Sequence, residues 1–503
     1  MGPADFALFD WLVLLERELL LFAGVFFLIG ALDEFAVDLA WIWLRLSGCA
    51  RTRVFDPGAG GAGGGAVDGD GIGTSMDTGT GDIRGGVGGG VAVARQTGGN
   101  AARPGTAAVF VPVWREEAVI GATIGHMLRA WPDRALRIYV GCYANDPATI
   151  AAAARAAGND GRVRIVVHEA LGPTTKADCL NRLYRALEDD ERRSGARAAM
   201  VVLHDAEDMA DPDALHLIRR AMARADLVQL PVLPLPQPRS RWVGSHYCEE
   251  FAEAHGKALV VRDALKAAIP LAGVGCAIGR EALASLAALR GGNAPFAAES
   301  LTEDYEIGLG IAAMGGRTRF VRRRARDGRL IATRAYFPSH LGPAVRQKTR
   351  WVFGIAFQGW ERLGWKGSAA EVWMRLRDRR GPFNALILAI AYLVLLLFAV
   401  GLAAELAGLA RRPALSPPLV AIVWANFAFL FWRCAFRFAF TAREYGLREG
   451  GRAVLRLPLA NIVAIMAARR ALFAYVRSLG GETPRWDKTE HRLHPAMTRT
   501  ETA

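Results

Sequence analysis

Long apolar runs lie at both ends of this chain. Residues 6–46 are largely apolar, and Leu19–Leu32 is an unbroken apolar run. Phe383–Ala404 contains 22 residues without a charge, enough for a helix that crosses a membrane. Leu415–Trp432 is a second candidate span, and Leu457–Met466 is either a third span or a helix at the membrane surface. The pattern therefore predicts membrane helices at both ends of the chain. The 14-residue run Leu19–Leu32 is short for a membrane span and would reach the required length by a short extension on either side.

Between these ends, short apolar runs alternate with amphipathic stretches. Repeated strand–helix units of this kind predict an α/β domain with a parallel sheet, helices on both faces and right-handed connections. The predicted strands are Ala107–Val113, Leu136–Cys142, Arg162–Val167 and Met200–Leu203. The predicted helices are Glu116–Ala130, Pro147–Ala157, Lys176–Leu187 and one that begins at Pro212.

The remaining segments complete a division into six regions. Residues 56–105 are dominated by Gly, which predicts a flexible linker, since a Gly-rich phosphate loop would need a strand–Gly–helix framing that is missing. Residues 344–365 mix Arg, Lys and Trp, as expected of a helix at a membrane surface. The predicted regions are an N-terminal membrane helix region (1–50), the linker (51–105), an α/β domain (106–340), interfacial helices (341–382), transmembrane helices (383–475) and a polar tail (476–503).

Charge and cysteine content narrow the class of protein. The formal net charge is +13, yet no recognisable nucleic-acid motif is present, so the Arg residues that flank the apolar spans favour a membrane partner. The arginines at 45, 51 and 53 place the following domain in the cytoplasm by the positive-inside rule, and six arginines in 433–456 predict a cytoplasmic loop there. The six cysteines form no C-x-x-C pair, as expected of buried thiols in a reducing compartment.

Polar residues collect where the predicted strands end. Since the carboxyl ends of parallel strands share one sheet edge, and ligands of open α/β sheets bind there, we expect these groups to meet, although each alone is explained by a helix cap. They are Arg115, Glu116 and Glu117 after the first strand, Asn145 and Asp146 after the second, Lys176 and Asp178 after the third, and Asp205 and Glu207 after the fourth.

The acids after the fourth strand predict a metal site. Asp205 and Glu207 are two residues apart, so in an extended segment both point the same way, whereas Asp208 points away and is expected to be structural. Two carboxylates suit Mg²⁺ or Mn²⁺, which fill their coordination with substrate phosphates. The alternative is a solvated turn before a helix capped by Asp211 and started by Pro212.

Two later motifs carry further candidates. Thr302 is placed to cap a helix over Glu303–Ala313, or Glu303 and Asp304 supply a general base. Before it, the glycines in 273–279 allow a backbone to approach a ligand closely. In Gln347-Lys-Thr-Arg350-Trp351, the arginine suits a diphosphate and the tryptophan a sugar ring, with a plain membrane anchor as the alternative.

Taken in order, these motifs resemble the inner-membrane glycosyltransferases of family 2, the GT-A fold group that includes cellulose and hyaluronan synthases. The resemblance is carried by Asp146, by Asp205-Ala-Glu207, by Thr302-Glu-Asp304 and by Gln347-Lys-Thr-Arg350-Trp351. It is closest to the phage-adsorption-protein type, through the stretches 143–149, 172–181, 204–208 and 486–491.

The resemblance implies a GT-A (Rossmann-like) fold and a role for each matched residue. Asp146 and Glu117 would contact the uridine of a UDP-sugar, and Lys176 would lie near the nucleotide. Asp205 would bind the donor and Glu207 the metal, Mg²⁺ or Mn²⁺. Asp304 would be the catalytic base, with Glu303 beside it. Gln347 and Arg350 would bind the diphosphate, and Trp351 and Thr302 would contact the acceptor.

The implied reaction is an inverting sugar transfer to a growing polysaccharide or lipid-linked acceptor, in the bacterial inner membrane, with a cytoplasmic catalytic domain and an export partner. The metal motif departs from the family pattern, with Asp-x-Glu in place of Asp-x-Asp, and Lys348 stands where Gln or Arg is usual. The alternative function is a degenerate transferase that serves as a membrane scaffold or nucleotide sensor without turnover. Transfer of a single sugar to a lipid is a third possibility.

Overall fold

The computed structural model describes residues 8–58, 105–482 apart from 239, 293 and 410, and 494–498. Most of the predicted Gly-rich linker lies outside the described residues, as does the tail motif Trp486–His491.

A seven-stranded, mostly parallel sheet forms the centre of the α/β domain. Its order is β3-β2-β1-β4-β7-β5-β8, and β6 pairs with β9 in a separate two-stranded sheet. The strands are β1 (Thr106–Pro112), β2 (Leu136–Tyr143), β3 (Val163–His168), β4 (Ala198–Leu203), β5 (Leu227–Gln229), β6 (Val232–Pro234), β7 (Cys276–Gly279), β8 (Thr318–Phe320) and β9 (Thr333–Ala335). This is the Rossmann-like arrangement expected of a GT-A domain.

One strand of this sheet runs against the others. β7 pairs antiparallel with both β4 and β5, so the sheet is mostly parallel, as expected of the predicted fold class. β7 has four residues, which is too short for a periodic signal, and it follows two glycines with positive φ, Gly273 and Gly275. It carries the chain back across the sheet beside the end of β4.

Helices cover both faces of the sheet. The segment β1 is buried on both faces, with Ala107, Val109 and Val111 in one apolar cluster and Ala108 and Phe110 in the other. The helices of this domain are α2 (Ile120–Ala130), α3 (Pro147–Ala157), α4 (Lys176–Ser194), α5 (Ala214–Met222), α6 (His246–Glu253), α7 (Leu259–Ala264), α8 (Arg280–Leu289) and α9 (Glu303–Ala313). A π-helical turn, Ala254–Ala258, joins α6 to α7.

Helix boundaries differ from the sequence prediction where side chains take another role. α5 begins at Ala214 rather than Pro212, because Asp211 does not cap it: the Asp211 carboxylate is buried and pairs with Arg329 and Arg334. α2 begins at Ile120 rather than Glu116, after a turn. The helix α3 matches its predicted bounds.

After the α/β domain the chain is helical. The helices are α10 (Leu341–Val352), α11 (Gly359–Leu363), α12 (Ala369–Arg379), α13 (Gly381–Leu406), α14 (Pro417–Tyr445), α15 (Leu447–Leu455), α16 (Leu457–Leu479) and α17 (Pro495–Thr498). A π-helical segment, Phe353–Gln358, separates α10 from α11.

Three of the described helices, α13, α14 and α16, are long and apolar enough to cross a membrane. The N-terminal helix α1 (Leu8–Leu46) packs along the first two of them. The Nδ2 of Asn426 donates to the Gly24 carbonyl at 2.9 Å, and the rings of Phe26 and Phe383 meet edge to face. Apolar side chains such as those of Trp424 and Phe431 point outward from this bundle.

The predicted loop over 433–456 is helical, so that prediction was wrong. The end of α14 and all of α15 fill it, and three of its arginines, Arg433, Arg437 and Arg456, pair with carboxylates of α6. Arg456 lies fully buried against Glu249 of α6, with Nη2 and Oε2 2.8 Å apart, and Arg433 pairs with Glu253. These arginines tie the candidate membrane helices to the α/β domain.

Candidate active site

A cleft at the carboxyl edge of the sheet gathers most of the residues singled out in the sequence. It encloses about 890 Å³, part of it open to solvent. The predicted residues that line it are Lys176, Asp205, Glu207, Thr302, Glu303, Asp304, Gln347, Arg350 and Trp351. They come from α4, the end of β4, α9 and α10, so the fold brings together groups spread over 176 positions of the chain.

Lys176 is the central cation of the cleft. It begins α4, whose first turn is capped by Thr175 accepting from the Asp178 N–H at 3.2 Å. Its Nζ lies 2.6 Å from Oδ1 of Asp205. Burial opposes the charge on this lysine, but the carboxylates of Asp205, Glu303 and Asp304 outweigh burial and raise its pKa.

The acids after β4 lie in a turn, not in the extended segment that was expected. The Asp205 N–H donates to Oδ2 of Asp208 at 2.8 Å, which folds residues 204–208 back on themselves. The Asp208 carboxylate also lies 3.1 Å from Nδ1 of His204, and both side chains are buried. Burial raises the pKa of Asp208. The turn leaves Asp205 and Glu207 both bordering the cleft.

The C-terminal segment contacts the back of this turn. His494 is fully buried, and its Nε2 lies 3.1 Å from the Asp208 carbonyl oxygen. Burial lowers the pKa of His494 to about 4. This contact was absent from the sequence prediction, since a lone histidine in a polar tail carries no signal of its partner.

The start of α9 places two acids at the floor of the cleft. Thr302 occupies the N-cap position, yet its hydroxyl makes no capping bond, and Oγ1 is buried without a hydrogen-bond partner among the described residues. The prediction that the side chain of Thr302 caps this helix was therefore wrong. Burial and then the neighbouring Asp304 raise the pKa of Glu303 to about 7. Burial also raises the pKa of Asp304, against the lowering effect of Lys176 and Arg350.

A glycine lets the backbone approach these acids. Gly273 has a φ of +76°, and a Cβ placed there would lie 2.5 Å from Oδ2 of Asp304 and 3.3 Å from Nζ of Lys176. A side chain at this position would therefore fill the space between the acid and the lysine.

The opposite wall is built by α10 and the π-helical segment after it. Gln347 has a buried Oε1 without a hydrogen-bond partner among the described residues. Trp351 packs edge to face near Tyr247 and Phe251, with ring centroids 6.1 and 6.3 Å apart. The π turn brings Gln358 to accept from the Leu301 N–H at 3.1 Å, which fixes this wall against the loop before α9.

Two predicted donor residues lie outside the cleft. The carboxylate of Asp146 caps α3 and accepts from the Arg115 N–H at 2.6 Å, which joins the ends of β1 and β2. Glu117 is exposed in the turn before α2. Both still follow strands at the same sheet edge as the cleft, but the structure does not bring their side chains to its lining.

Sequence reasoning missed the aromatic part of the cleft. Phe251 and Phe337 line it beside Trp351, and their rings lie 5.2 Å apart. Tyr336 also lines it. These residues sit in segments without a recognisable motif, so the available signal was only the density of aromatic residues near the polar strand ends.

No set of three or more His, Cys, Asp or Glu side chains is placed to hold a metal ion within the described residues. The described carboxylates that line the cleft are those of Asp205, Glu207, Asp208, Glu303 and Asp304, so the predicted metal pair of Asp205 and Glu207 is among them. Two carboxylates facing a space open to a ligand fit the way Mg²⁺ binds, with substrate phosphates supplying further oxygens.

Comparison with known proteins places this domain in a family. Residues 104–354 match the family model described as glycosyltransferase like family 2. Residues 104–354 therefore form a glycosyltransferase domain of family 2, and the domain has the GT-A fold.

Among curated proteins, the chain is similar to two adsorption proteins. It is 35% identical over 412 residues to bacteriophage adsorption protein B of Escherichia coli strain K12 and to bacteriophage N4 adsorption protein B of Escherichia coli O157:H7. Each match covers 78% of this chain and 55% of the relative, so the chain spans about half the length of these relatives.

Solved structures with a similar arrangement include glucosyl-3-phosphoglycerate synthase from Mycobacterium tuberculosis. Its complex with Mn²⁺, UDP and phosphoglyceric acid matches at 19% identity with a TM-score of 0.27, covering 43% of this chain and 68% of that one. Its complex with Mn²⁺, UDP and glucosyl-3-phosphoglycerate matches at 16% identity with a TM-score of 0.32, covering 52% and 81%.

Proposed function

We propose that this protein is a membrane-bound, inverting glycosyltransferase that moves a sugar from a UDP-sugar to a growing polysaccharide or a lipid-linked acceptor. The observation that carries the proposal is the convergence of Lys176, Asp304 and Arg350 in one cleft of a family 2 domain. Two cations beside a buried acid suit a reaction in which a diphosphate leaves and a hydroxyl loses its proton.

The donor end of the cleft is built for a diphosphate. Lys176 and Arg350 line it, and guanidinium and ammonium groups bind phosphate oxygens by charge-assisted hydrogen bonds. When a donor diphosphate arrives, Lys176 can exchange part of its pairing with Asp205 for the phosphate. We place the uridine toward the ends of β1 and β2, where Asp146 and Glu117 lie.

A divalent ion, Mg²⁺ or Mn²⁺, would be held by Glu207 and Asp205, and when bound it would offset charge on the leaving diphosphate. The fit rests on two carboxylates bordering the same open space. Glutamate reaches further than aspartate and is equally hard as a ligand, so the Asp-x-Glu motif suits the same role.

Asp304 is the proposed base. In the transfer, the acceptor hydroxyl oxygen bonds to the anomeric carbon, the bond from that carbon to the UDP oxygen breaks, and the hydroxyl proton passes to the Asp304 carboxylate. Burial raises the pKa of Asp304, which makes it a better proton acceptor than an exposed aspartate. The carboxyl group of Glu303, the preceding residue, contributes to the electrostatic environment of this base.

The acceptor end is proposed to lie along α10. The buried, unpartnered Oγ1 of Thr302 and Oε1 of Gln347 provide hydrogen-bonding groups that the described protein atoms leave unused. Trp351 offers a ring on which a sugar can stack. The neighbouring candidate spans α13 and α16 favour an acceptor at or in the bacterial inner membrane, with the catalytic domain in the cytoplasm.

The test is UDP release by membranes containing the full chain, incubated with a panel of UDP-sugars and Mg²⁺ or Mn²⁺. The wild type should release UDP with at least one donor, and Asp304→Asn should lower the rate by at least about a hundredfold. Asp189→Asn is the matched control, because Asp189 is a partly exposed residue of α4 that pairs with Arg192, outside the cleft lining.

Equal rates for wild type and Asp304→Asn would contradict the proposed base. Metal-dependent UDP binding with no release for any donor would instead support a nucleotide sensor or scaffold. The length of a labelled product on a gel separates a polymerase from a single-sugar transferase.

A further inference from the structure

A second pocket lies between the end of α1 and the edge strand β8. It encloses about 630 Å³, part of it open to solvent, and none of its described lining residues borders the catalytic cleft. Leu44 and the segment after α1 form one wall, and α7 forms another. The described arginines that line it are Arg51, Arg53, Arg319, Arg322 and Arg323.

Arg322 is the buried member of this group. The residue is only 8% exposed, with Nη1 donating to Thr52 Oγ1 at 2.8 Å and Nη2 to Glu444 Oε1 at 2.6 Å. Its Nε is buried and has no hydrogen-bond partner among the described residues. A buried guanidinium N–H without an acceptor is costly, so an acceptor that reaches the pocket would be favoured.

Among the described residues, the carboxylates of Asp263 and Glu444 pair with arginines of this group. Asp263, the acid in the lining, lies 3.0 Å from Nε of Arg319. Glu444 is shared by Arg322 and Arg324, at 2.6 and 2.8 Å. Burial lowers the pKa of Arg322, and the charge of Arg324 lowers it further against the raising effect of Glu444. An anion beside Arg322 would favour the charged form of its guanidinium.

The surroundings of the pocket match a membrane boundary. Trp43 and Leu46, on either side of Arg45 at the end of α1, are 65% and 78% exposed. The same helix packs along the candidate spans α13 and α14. Exposed apolar side chains next to arginines are typical of the depth at which lipid headgroups lie.

We propose that this pocket binds a phosphate-bearing anion, with Arg51, Arg322 and Arg323 as its ligands, at a site separate from sugar transfer. Guanidinium groups match phosphate oxygens in geometry and charge, and several of them from different segments would hold one phosphate from several sides. The phosphate belongs either to the headgroup of an anionic phospholipid or to a soluble phosphate compound.

The experiment titrates the detergent-purified full chain, with excess UDP present to fill the catalytic cleft, and follows binding by thermophoresis. The ligands are phosphatidylglycerol, phosphatidylcholine and inorganic pyrophosphate. The test variant is Arg51→Gln with Arg323→Gln. The control is Arg155→Gln with Arg192→Gln, which removes the same charge from exposed positions of α3 and α4, toward the opposite edge of the sheet.

The test variant should bind phosphatidylglycerol or pyrophosphate at least about tenfold more weakly than wild type, while the control is unchanged. Loss confined to phosphatidylglycerol assigns the phosphate to a lipid headgroup, and loss of pyrophosphate binding assigns it to a soluble compound. Arg322→Lys, which keeps the charge but loses the planar fork, should weaken the same ligand. Equal binding by wild type, test variant and control, or no preference for either phosphate ligand over phosphatidylcholine, overturns the proposal.

Discussion

Nζ of Lys176 lies 2.6 Å from Oδ1 of Asp205, which joins the start of α4 to the turn after β4 inside the candidate active-site cleft. Burial raises the pKa values of Glu303 and Asp304, and the positive charge of the same lysine opposes that rise. One cation is therefore shared by three acids of the cleft.

Lys176→Met should weaken UDP binding by about tenfold or more and move the acidic limb of the rate profile to higher pH. The reason is that Asp304 loses the cation that opposes the effect of burial on its pKa. UDP release measured from pH 5.5 to 9 tests this, with Lys176→Arg as the charge-retaining control. An acidic limb at the same pH in wild type and Lys176→Met would show that the lysine does not tune the base.

Gly273→Ala should lower the transfer rate by at least about a hundredfold, because the added Cβ would lie 2.5 Å from Oδ2 of Asp304. Gly315→Ala is a matched control. Gly315 also has a positive φ, +83°, but its Cβ would meet nothing within 4 Å. Both variants bear a similar backbone cost of about 1–2 kcal/mol, so their melting temperatures should fall together while only Gly273→Ala loses activity. Equal activity in the two variants would contradict the placement of Asp304 at the reacting atoms.

Glu303→Gln should stabilise the protein at pH 8 but not at pH 5. The folded protein raises the pKa of this buried acid to about 7 from the ordinary value of 4.5. A raised carboxyl pKa means that folding favours the protonated form, so wild-type stability falls as pH rises between these values. The neutral glutamine removes that loss, with an expected gain of about 1–3 kcal/mol above pH 7. Melting temperatures of both proteins across pH 5–8 provide the measurement, and a pH-independent difference would count against the shift.

Arg456→Leu should lower stability by about 3–5 kcal/mol, because it leaves the carboxylate of Glu249 buried without its main cation. The double variant Arg456→Leu with Glu249→Leu should recover part of this loss, since it removes both buried charges. Arg448→Leu, at an exposed position of α15, is the control and should change stability little. Thermal unfolding in detergent tests the set, and additive losses in the double variant would show that the pair is not coupled.

The strand–helix order and the edge that gathers the polar groups could be predicted from the sequence, because apolar periodicity fixes both. The geometry of the cleft could be predicted from the sequence only in part. Asp205 and Glu207 were expected to face the same way through an extended backbone, whereas a turn held by Asp208 places them at the cleft. The prediction that the two acids share one site still agrees with the cleft lining, because residues two apart in the chain stay close in a turn as well as in an extended segment.

Other features depend on contacts that no local pattern contains. The hydroxyl of Thr302 was expected to cap α9, yet it lies against Gly354 of the π-helical segment, from another part of the chain. The Asp146 carboxylate caps α3 as expected, and it also accepts a hydrogen bond from the Arg115 N–H, which links two loops. The arginines of 433–456 suggested a solvated loop, because the sequence does not show that Glu249 and Glu253 lie opposite them.

The length of α14 has a mechanical consequence. Its 29 residues extend about 43 Å, while the hydrocarbon layer of a bilayer is about 30 Å thick. If α14 crosses a bilayer, about 13 Å of it would therefore extend beyond the hydrocarbon layer. In its last turns Tyr445 donates to the Pro234 carbonyl at 2.6 Å and Arg437 contacts Glu249. Because α14 is one continuous helix that contacts β6 and α6 directly, a change in bilayer thickness or in helix tilt would then displace both elements of the α/β domain.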